Sequence, residues 1–216
     1  MKFHLFMLPT IGRRHELEQG MAGLRDDLYQ RMLGEIDEQA RFADELGYYG
    51  IGFTEHHFHI EGFELSTNPL MLDAFVASRT KNLKVGQLAL VLPSHHPLRV
   101  AEDLAMLDCM SDGRVISGFV RGIPREYSVY NVDLAESRAR FEEAWEIIKL
   151  AWTEEVFSYE GRFWSYNDVA IWPRPVQEPH PPVWVPVSGS QETIEWAARE
   201  NIPITPGAFA PRSVKK

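Results

Sequence analysis

The sequence predicts an α/β fold in which successive βα units surround a parallel sheet. Short apolar segments alternate along the chain with longer amphipathic ones. Glycine, proline or asparagine bounds each segment, which is typical of strands and helices that follow one another closely. The 216 residues, 44% of them hydrophobic and 12% aromatic, are enough to bury a sizeable core. We therefore expect one domain over residues 1–210 and a polar tail at 211–216.

The first half of the chain carries clear helix signals. Apolar residues recur at spacings of three to five between Leu28 and Leu46, and Gly47 follows where a C-terminal cap belongs. Asn68 and Pro69 supply a cap and a first helical position for a second helix, and Pro97 opens a third. The strands between these helices are predicted at 2–8, 48–53, 83–92 and 114–120.

The βα pattern is interrupted between Arg121 and Pro182. This region contains one amphipathic helix, with apolar residues from Phe141 to Trp152, and then an aromatic, proline-rich segment that favours a short hairpin. We interpret the region as an insertion between strands four and five that covers the rest of the fold. A fifth strand is predicted at 182–187, followed by a helix, and a sixth at 201–207.

Six βα-type strands are compatible with two architectures. They could form an open doubly wound sheet or part of an eight-stranded barrel, and hydrophobic periodicity fits both. The first strand is not followed by GxGxxG, which disfavours the dinucleotide-binding version of the open sheet. In either architecture ligands bind beyond the carboxyl ends of the strands, so the residues after each strand are the candidates for function.

Composition excludes several classes of partner. Thirty-one acidic against 22 basic residues give a net charge of −9, and no basic run is long enough to follow a phosphate backbone. Neither a signal segment nor a membrane span is apparent. Cys109 is the only cysteine, so we expect a buried structural thiol and no internal disulfide. These features predict a cytoplasmic protein without nucleic-acid or membrane partners.

The strongest catalytic candidates follow strand two directly. They are Glu55, His56 and His57, and imidazole is the side chain best suited to proton transfer near neutral pH. Since adjacent residues point in opposite directions, we expect only one histidine to face a cavity. From spacing alone, hydrogen-bonded rim histidines remain the stronger interpretation. We predict no metal site, because EHH lacks the i, i+4 spacing of a zinc helix and no second ligand cluster stands out.

Other strands end in residues that could bind an anion. His95 and His96 follow strand three and are secondary candidates, since Pro97 marks an ordinary helix entry there. Arg121 could clamp a phosphate or carboxylate, and Gly122 would permit close approach. After strand five, a small-residue turn that opens a helix suits a phosphate, although its last serine could be a simple helix cap. This turn contains Ser188, Gly189 and Ser190, with Thr193 one turn on.

The sequence resembles the bacterial luciferase-like, flavin-dependent monooxygenases. The resemblance covers nearly the whole chain, in the same order, and its most specific segments are GFTEHHF, AEDLAMLDCMSDGR, SGFVRG and PRPVQEPHPPVWV. It implies a TIM barrel that uses reduced FMN and oxygen to form a flavin hydroperoxide, which oxygenates a small organic substrate such as an aldehyde. A separate NAD(P)H-dependent reductase would supply the reduced flavin.

The resemblance also implies roles for individual residues. His56 corresponds to the histidine expected to assist chemistry at the flavin, with Glu55 and His57 supporting it. Leu88 and Ala89 fall where the family often has a cis peptide beneath the flavin ring. The phosphate-binding positions are Arg121 with Gly122, and more loosely Ser188, Gly189, Ser190 and Thr193. Glu126 is a polar rim candidate without a firm counterpart.

Family members are usually longer than this chain. We therefore expect about six of the eight βα units of the barrel, as in a C-terminally truncated sequence or a fragment. The closest alternative activity is hydride transfer with deazaflavin F420, although the EHHF segment favours FMN. A non-catalytic flavin-binding subunit or an inactive fragment of the same family is the alternative of another class. The resemblance implies a homo- or heterodimer and leaves the substrate open.

Overall fold

The computed structural model describes residues 1–206, and the predicted tail at 211–216 lies outside the described residues. The strands, in chain order, are β1 (His4–Met7), β2 (Gly50–Phe53), β3 (Lys84–Gln87), β4 (Leu90–Val91), β5 (Val115–Val120), β6 (Phe157–Glu160), β7 (Ser165–Val169), β8 (Val183–Val187) and β9 (Ile204–Pro206). The α-helices are α1 (Arg14–Leu17), α2 (Asp26–Glu45), α3 (Pro69–Ala77), α4 (Pro97–Met110), α5 (Pro124–Tyr130), α6 (Ser137–Thr153) and α7 (Gln191–Arg199).

Six parallel strands form a curled half-barrel in the order β1-β2-β3-β5-β8-β9, and the short β4 pairs with the end of β5. The curl is visible in the contact between His4 of β1 and Trp184 of β8, whose ring centroids lie 5.4 Å apart. These strands are not neighbours in the sheet, so their side chains meet across an interior. The fold is therefore an incomplete TIM-type barrel, and the barrel alternative is confirmed over the open sheet.

Two glycines of β2 make room for this interior. A Cβ on Gly50 would lie 2.8 Å from the ring of His4, and one on Gly52 would lie 2.8 Å from the side chain of Leu88. Real Cβ atoms do not approach other atoms so closely, so larger residues would push β1 or the segment after β3 away. The missing side chains on β2 thus let large residues from neighbouring strands fill the barrel.

The predicted helices are confirmed. Helix α2 buries one apolar stripe, from Leu28 to Ala43, and Gly47 follows it with a φ of +74°. At the start of α3 the Asn68 side chain accepts a hydrogen bond from the Met71 N–H at 3.1 Å, and Pro69 occupies the first turn. Within the described residues, none of the helices is long and apolar enough to span a bilayer.

The core lies between the outer face of the sheet and the helices. Helix α6 contributes its largest aromatic residues, because Phe141, Trp145 and Trp152 are all almost fully buried. The Trp152 indole N–H also donates to the Ala101 carbonyl of α4 at 3.0 Å, which satisfies its one polar group in the core. Helix α6 therefore packs as the sequence predicts.

The hairpin of β6 and β7 is also confirmed. Its turn is held by Glu143 of α6, a buried carboxylate that accepts hydrogen bonds from the backbone N–H groups of Arg162, Phe163 and Trp164 at 2.9 to 3.3 Å. The hairpin is thus tied to the outer helical layer.

Apart from strand ends that are shorter by one or two residues, the structure differs from the predictions at three elements. The strand predicted at 83–92 is divided into β3 and β4, because the backbone breaks its pairing at Leu88 and Ala89. The sixth strand covers only Ile204–Pro206, and Gly207 lies outside the described residues. The sequence signals gave no indication of α5, whose seven residues are too few to show a helical period.

The prediction of a buried thiol was wrong. Cys109 is exposed near the end of α4, and its sulfur lies 3.3 Å from the Arg174 carbonyl. Helix α4 instead buries Leu104, Leu107 and Asp108 on the face toward the sheet. The apolar residues that surround Cys109 in the sequence lie on both faces of this helix, so composition could not tell which face the cysteine occupies.

Candidate functional site

A cavity of about 540 Å³ opens at the carboxyl ends of the strands. Its volume lies within the range of small-molecule and cofactor sites. Most of the predicted site residues line it, and they come from the ends of several strands. They are Glu55 and His56 after β2, Leu88 and Ala89 after β3, Arg121 and Gly122 after β5, and Ser188, Ser190 and Thr193 after β8.

The hairpin does not cover this cavity. Of the region 121–182, the residues that line the cavity are Arg121, Gly122, Ile123 and Phe141, all outside β6 and β7. The insertion between strands four and five is confirmed, but its hairpin contributes no described residue to the cavity wall. The part of the region that lies nearest to the predicted catalytic residues is α5, which packs against the segment after β2 through Glu126 and Tyr130.

Glu55 is the buried centre of a hydrogen-bond network. Its Oε1 atom lies 2.8 Å from His57 Nε2 and 2.6 Å from His95 Nε2, while its Oε2 atom accepts the Val91 N–H at 2.7 Å. Burial alone would raise the pKa of Glu55, but the hydrogen bonds from the two histidines and the backbone outweigh burial and lower it to about 2. Glu55 is therefore a carboxylate that joins the ends of β2 and β4.

His56 is the histidine that faces the cavity. Its Nδ1 lies 3.3 Å from Glu126 Oε1, and its Nε2 lies 3.8 Å from Glu64 Oε1. Burial would lower the pKa of His56, but the carboxylates of Glu126 and Glu64 raise it above its ordinary value. The ring thus has one nitrogen held by a buried carboxylate and the other directed toward the cavity side.

His57 points away from the cavity, which confirms that only one histidine of the pair faces it. Its Nε2 contacts Glu55, and its Nδ1 lies 3.0 Å from the hydroxyl of Tyr130. Its backbone N–H donates to Glu126 Oε1 at 2.9 Å. His57 is therefore a link between β2 and α5 in this structure. Tyr130, which completes the link, was not predicted from the sequence.

The two secondary histidine candidates separate. His95 belongs to the Glu55 network, and the Glu55 carboxylate raises its pKa although burial opposes this. His96 is exposed as the N-terminal cap residue of α4, and its Nε2 lies 3.3 Å from the Tyr166 hydroxyl of the hairpin. Neither is among the described residues that line the cavity.

Backbone atoms approach the cavity closely at two places. The Leu88–Ala89 peptide bond is cis, as the resemblance implies, and both residues line the cavity. Gly122 has a φ of +91°, and a Cβ there would collide with the side chain of Val91. Only glycine fits this turn after β5, and the turn places Arg121 at the cavity.

The region around Arg121 suits an anion. Ser190 caps α7, since its Oγ accepts the Thr193 N–H at 3.4 Å and the Thr193 hydroxyl at 3.1 Å. The alternative reading of Ser190 as a helix cap is thus confirmed, and the cap places the positive end of the helix dipole at the cavity. Gly189 gives the preceding turn a φ of +127° and does not itself line the cavity.

Arg138 of α6 is a further cation near this helix N-terminus, and the sequence did not predict it. Its Nη2 donates to the Thr193 hydroxyl at 2.9 Å, while its buried Nε and Nη1 have no hydrogen-bond partner among the described residues. Burial and the positive charge of Arg121 lower the pKa of Arg138. Two guanidinium groups therefore lie near one helix N-terminus. The helix around Arg138 was predicted, but nothing in its sequence indicates which face meets Thr193.

The loop between β2 and α3 brings two further residues to His56. His59 and Glu64 offer ligand atoms that, with one from His56, all lie within 4.8 Å of one another. The sequence pattern does not predict this group, because the spacings of three and five residues match no regular element.

Residues 1–216 match the family described as luciferase-like monooxygenases. The chain is 33% identical over 165 residues to an alkanal monooxygenase alpha chain of Photorhabdus luminescens, covering 76% of this chain and 45% of that protein. It is 30% identical over 209 residues to the oxygenase component of a flavin-dependent trigonelline monooxygenase of Acinetobacter baylyi, covering 94% of this chain and 57% of that protein. The chain thus spans about half the length of the curated relatives it matches.

Solved structures show the same fold. The monooxygenase RslO1 from Streptomyces bottropensis superposes with a TM-score of 0.82 at 34% identity, covering 94% of this chain and 59% of its own. Two others share the fold alone. One is the oxygenating constituent of 3,6-diketocamphane monooxygenase of Pseudomonas putida, in complex with FMN. It superposes with a TM-score of 0.77 at 22% identity, covering 95% of this chain and 57% of its own. An F420-dependent secondary alcohol dehydrogenase superposes with a TM-score of 0.67 at 16% identity, covering 87% of this chain and 52% of its own.

The match over the entire sequence agrees with the half-barrel and with the positions of the candidate residues at its carboxyl-terminal end. The chain belongs to the luciferase-like monooxygenase family.

Proposed function

We propose that this chain carries the flavin site of a monooxygenase that uses reduced FMN and oxygen to oxygenate a small organic substrate. The observation that carries the proposal is the grouping of Arg121 and the N-terminus of α7 at a cavity that also contains His56, with Arg138 hydrogen-bonded to Thr193 of that N-terminus. A phosphorylated, redox-active cofactor needs both an anion site and a group that handles protons.

The residues present fit FMN. The cavity has room for a cofactor, and much of its wall is apolar, including Phe6, Leu8 and Phe119, which suits a flat aromatic ring. The buried Nε and Nη1 atoms of Arg138 have no hydrogen-bond partner among the described residues, although Nη1 lies 3.7 Å from Glu142 Oε1, and buried polar atoms are normally satisfied. A phosphate near Thr193 would satisfy donors of this kind.

Each part of the site has a separate role in this proposal. Arg121, Arg138, Ser190 and Thr193 would hold the phosphate, and the backbone of Leu88 and Ala89 would face the ring. His56 would hold or transfer a proton at Nε2, because Glu126 occupies its Nδ1. When bound, the reduced flavin supplies the electrons for oxygen activation.

The anion site is tested by comparing FMN with riboflavin, which lacks the phosphate. Arg121→Ala and Arg138→Ala should each weaken FMN binding by roughly 10- to 100-fold, since a charge-assisted hydrogen bond contributes about 1.5–3 kcal/mol. Riboflavin affinity should change little. Arg140→Ala is the matched control, because this arginine of α6 pairs with Glu136 instead. Equal losses for both ligands would contradict the assignment.

The role of His56 is tested by turnover. His56→Ala should lower turnover by roughly 10²- to 10⁴-fold, the usual contribution of a proton-transfer group, with little loss of FMN affinity. The assay supplies reduced FMN from a separate reductase, oxygen, and a series of straight-chain aldehydes. If the protein binds and reduces F420 but does not bind FMN, the proposed function is wrong.

The proposal includes partners. Relatives of this chain include alpha and beta chains of alkanal monooxygenases and the oxygenase component of a flavin-dependent monooxygenase. We infer that this chain receives reduced flavin from a separate NAD(P)H-dependent reductase and works as a homo- or heterodimer. Size-exclusion chromatography with light scattering measures whether the protein is a dimer in solution.

A further inference from the structure

Three side chains of the loop after β2 converge on one point beside the cavity. Glu64 lies between two histidines, with Oε1 at 3.8 Å from His56 Nε2 and Oε2 at 3.8 Å from His59 Nδ1. These separations exceed hydrogen-bonding distance. The three groups therefore face one another without being bonded to one another.

His59 gives an independent indication of a missing ligand. It is only 8% exposed, and neither of its ring nitrogens has a hydrogen-bond partner among the described residues. Leaving a buried polar group unpaired costs about 1–3 kcal/mol, and such groups are rare in native proteins. The closest carboxylate oxygen, Glu61 Oε1, lies 3.6 Å from Nδ1 and so beyond hydrogen-bonding distance. The ring is therefore placed to bind a group that does not belong to the described protein.

The donor set and its geometry suit a transition-metal ion. Zn²⁺ binds histidine nitrogen and carboxylate oxygen at about 2.0–2.2 Å, so two ligand atoms on a tetrahedral ion lie about 3.4 Å apart. The two 3.8 Å separations involve different oxygens of Glu64, but one ligand atom from each of the three residues lies within 4.8 Å of the other two. Side-chain movements of about 1 Å would therefore bring the three ligand atoms to this spacing. Three protein ligands also leave a fourth position open.

Glu126 prepares His56 for this role. Its Oε1 atom lies 3.3 Å from His56 Nδ1, so that nitrogen carries the proton when the ring is neutral, and the lone pair is left on Nε2, toward Glu64. Metal-binding histidines commonly donate their second nitrogen to a carboxylate in this way.

The loop holds the ligands in place before any ion binds. The Ile11 N–H donates to the Gly62 carbonyl at 2.8 Å, and the Leu65 N–H donates to the Pro9 carbonyl at 2.8 Å. The loop also closes on itself, because the His56 N–H donates to the Ser66 carbonyl at 2.9 Å. Binding an ion here would require little ordering of the chain.

We propose that His56, His59 and Glu64 form a binding site for a divalent transition-metal ion of the Zn²⁺ type. His56 and Glu64 line the flavin cavity, so the ion would lie at its edge. It would occupy the Nε2 lone pair of His56 and thereby block proton transfer at that atom. This inhibitory effect rests on the proposed function, whereas metal binding does not.

The binding experiment uses Co²⁺ and Zn²⁺ with the metal-free protein. Visible absorption of Co²⁺ and calorimetric titration of Zn²⁺ should both show one ion per chain. His59→Ala should weaken Zn²⁺ binding at least about tenfold, since loss of even an outer partner of a ligand costs 10–100-fold. His15→Ala, which removes an exposed histidine of α1, should leave the affinity unchanged. Circular dichroism confirms that each variant is folded.

Two results would overturn the metal site: a folded wild-type protein that takes up no Zn²⁺ or Co²⁺, and equal affinity in the His59→Ala and His15→Ala variants. Mg²⁺ prefers oxygen ligands and should not compete with Zn²⁺ for the site.

The inhibitory effect is measured separately, as loss of flavin-dependent turnover with Zn²⁺ in the wild type but not in His59→Ala. If Zn²⁺ binds at this site without inhibition, the proton-transfer role of His56 is wrong and the metal site stands.

Discussion

Glu55 shows how a single buried carboxylate can join two segments of a site. It is 2% exposed and holds His57 of its own segment, together with the backbone of Val91 and the side chain of His95 from the segment after β3. All three partners approach as donors to a carboxylate that stays ionised, with a pKa of about 2. An amide at this position would present N–H groups to at least one of these donors.

We therefore expect Glu55→Gln to lower the free energy of unfolding by about 1–3 kcal/mol, the usual cost of a buried polar group that loses its partner. Urea unfolding at neutral pH measures this change. Glu45→Gln, on the exposed side of α2, is the control and should stay within about 0.5 kcal/mol of the wild type. Equal stability of the two variants would show that the Glu55 network does not stabilise the fold.

At the level of single residues, the sequence predicts the site in part. The segment Glu55, His56, His57 is recognisable, and strand alternation correctly implies that one histidine faces inward. Arg138 and His59 are different, because the importance of each depends on a tertiary contact. Arg138 contacts Thr193, which lies 55 positions further along the chain, and His59 meets His56 across a loop. Arg138 needs the position of α7, and His59 needs the path of an irregular loop, and neither is encoded in a local pattern.

At the level of elements, α3 and β3 are joined by a buried polar pair. Asp73 of α3 is fully buried and accepts a hydrogen bond from the side-chain amide of Gln87 at the end of β3. Burial raises the pKa of Asp73 well above its ordinary value of 3.8, although the hydrogen bond from Gln87 acts in the opposite direction. The folded protein thus retains a proton that the unfolded chain has already lost.

The sign of the resulting pH dependence follows. The contribution of Asp73 is fully present below its unfolded pKa and is lost as pH rises toward its raised folded pKa, because unfolding then releases a proton. Asp73→Asn removes the ionisable group but keeps an acceptor for Gln87. We expect the stability of this variant relative to wild type to increase as pH is raised from about 4 to about 8.

Chemical unfolding over this pH range measures the effect, with Asp103→Asn as the control, a partly exposed residue of α4 that pairs with Arg99 at the surface. The control should show the pH dependence of the wild type. A constant difference between Asp73→Asn and wild type at every pH would mean that Asp73 is ionised in the folded protein.

Elements with strong local signals were predicted well. Caps such as Asn68 and Gly47 act through neighbouring backbone groups, so the sequence near a helix end contains the information. The division of the third strand and the exposure of Cys109 are different cases. The first depends on backbone geometry at Leu88, and the second depends on which face of α4 meets the sheet.

At the level of the whole molecule, the choice between an open sheet and a barrel depends on curvature. Periodicity describes which face of a strand is buried but not how far the sheet bends. Here Gly50 and Gly52 leave space on β2, and His4 and Trp184 meet across it. Only a resemblance over many segments could predict this arrangement, because the contacting residues are far apart in the sequence.

The contact between His4 and Trp184 should stabilise the curl and hence the cavity, whose wall continues from Trp184 into Val185 and Pro186. Trp184→Phe would leave unfilled space between β1 and β8, and we expect it to lower the free energy of unfolding by roughly 1 kcal/mol or more. FMN affinity should fall as well, because the strand that carries Ser188 and Ser190 would shift.

Trp172→Phe is the matched control, since the Trp172 side chain is 86% exposed and should contribute little to stability. Urea unfolding and FMN titration of both variants measure the two effects. Loss of stability without loss of FMN affinity would show that β8 keeps its position when the contact across the barrel is removed. The curl would then depend on the hydrogen bonds between strands and not on the interior side chains.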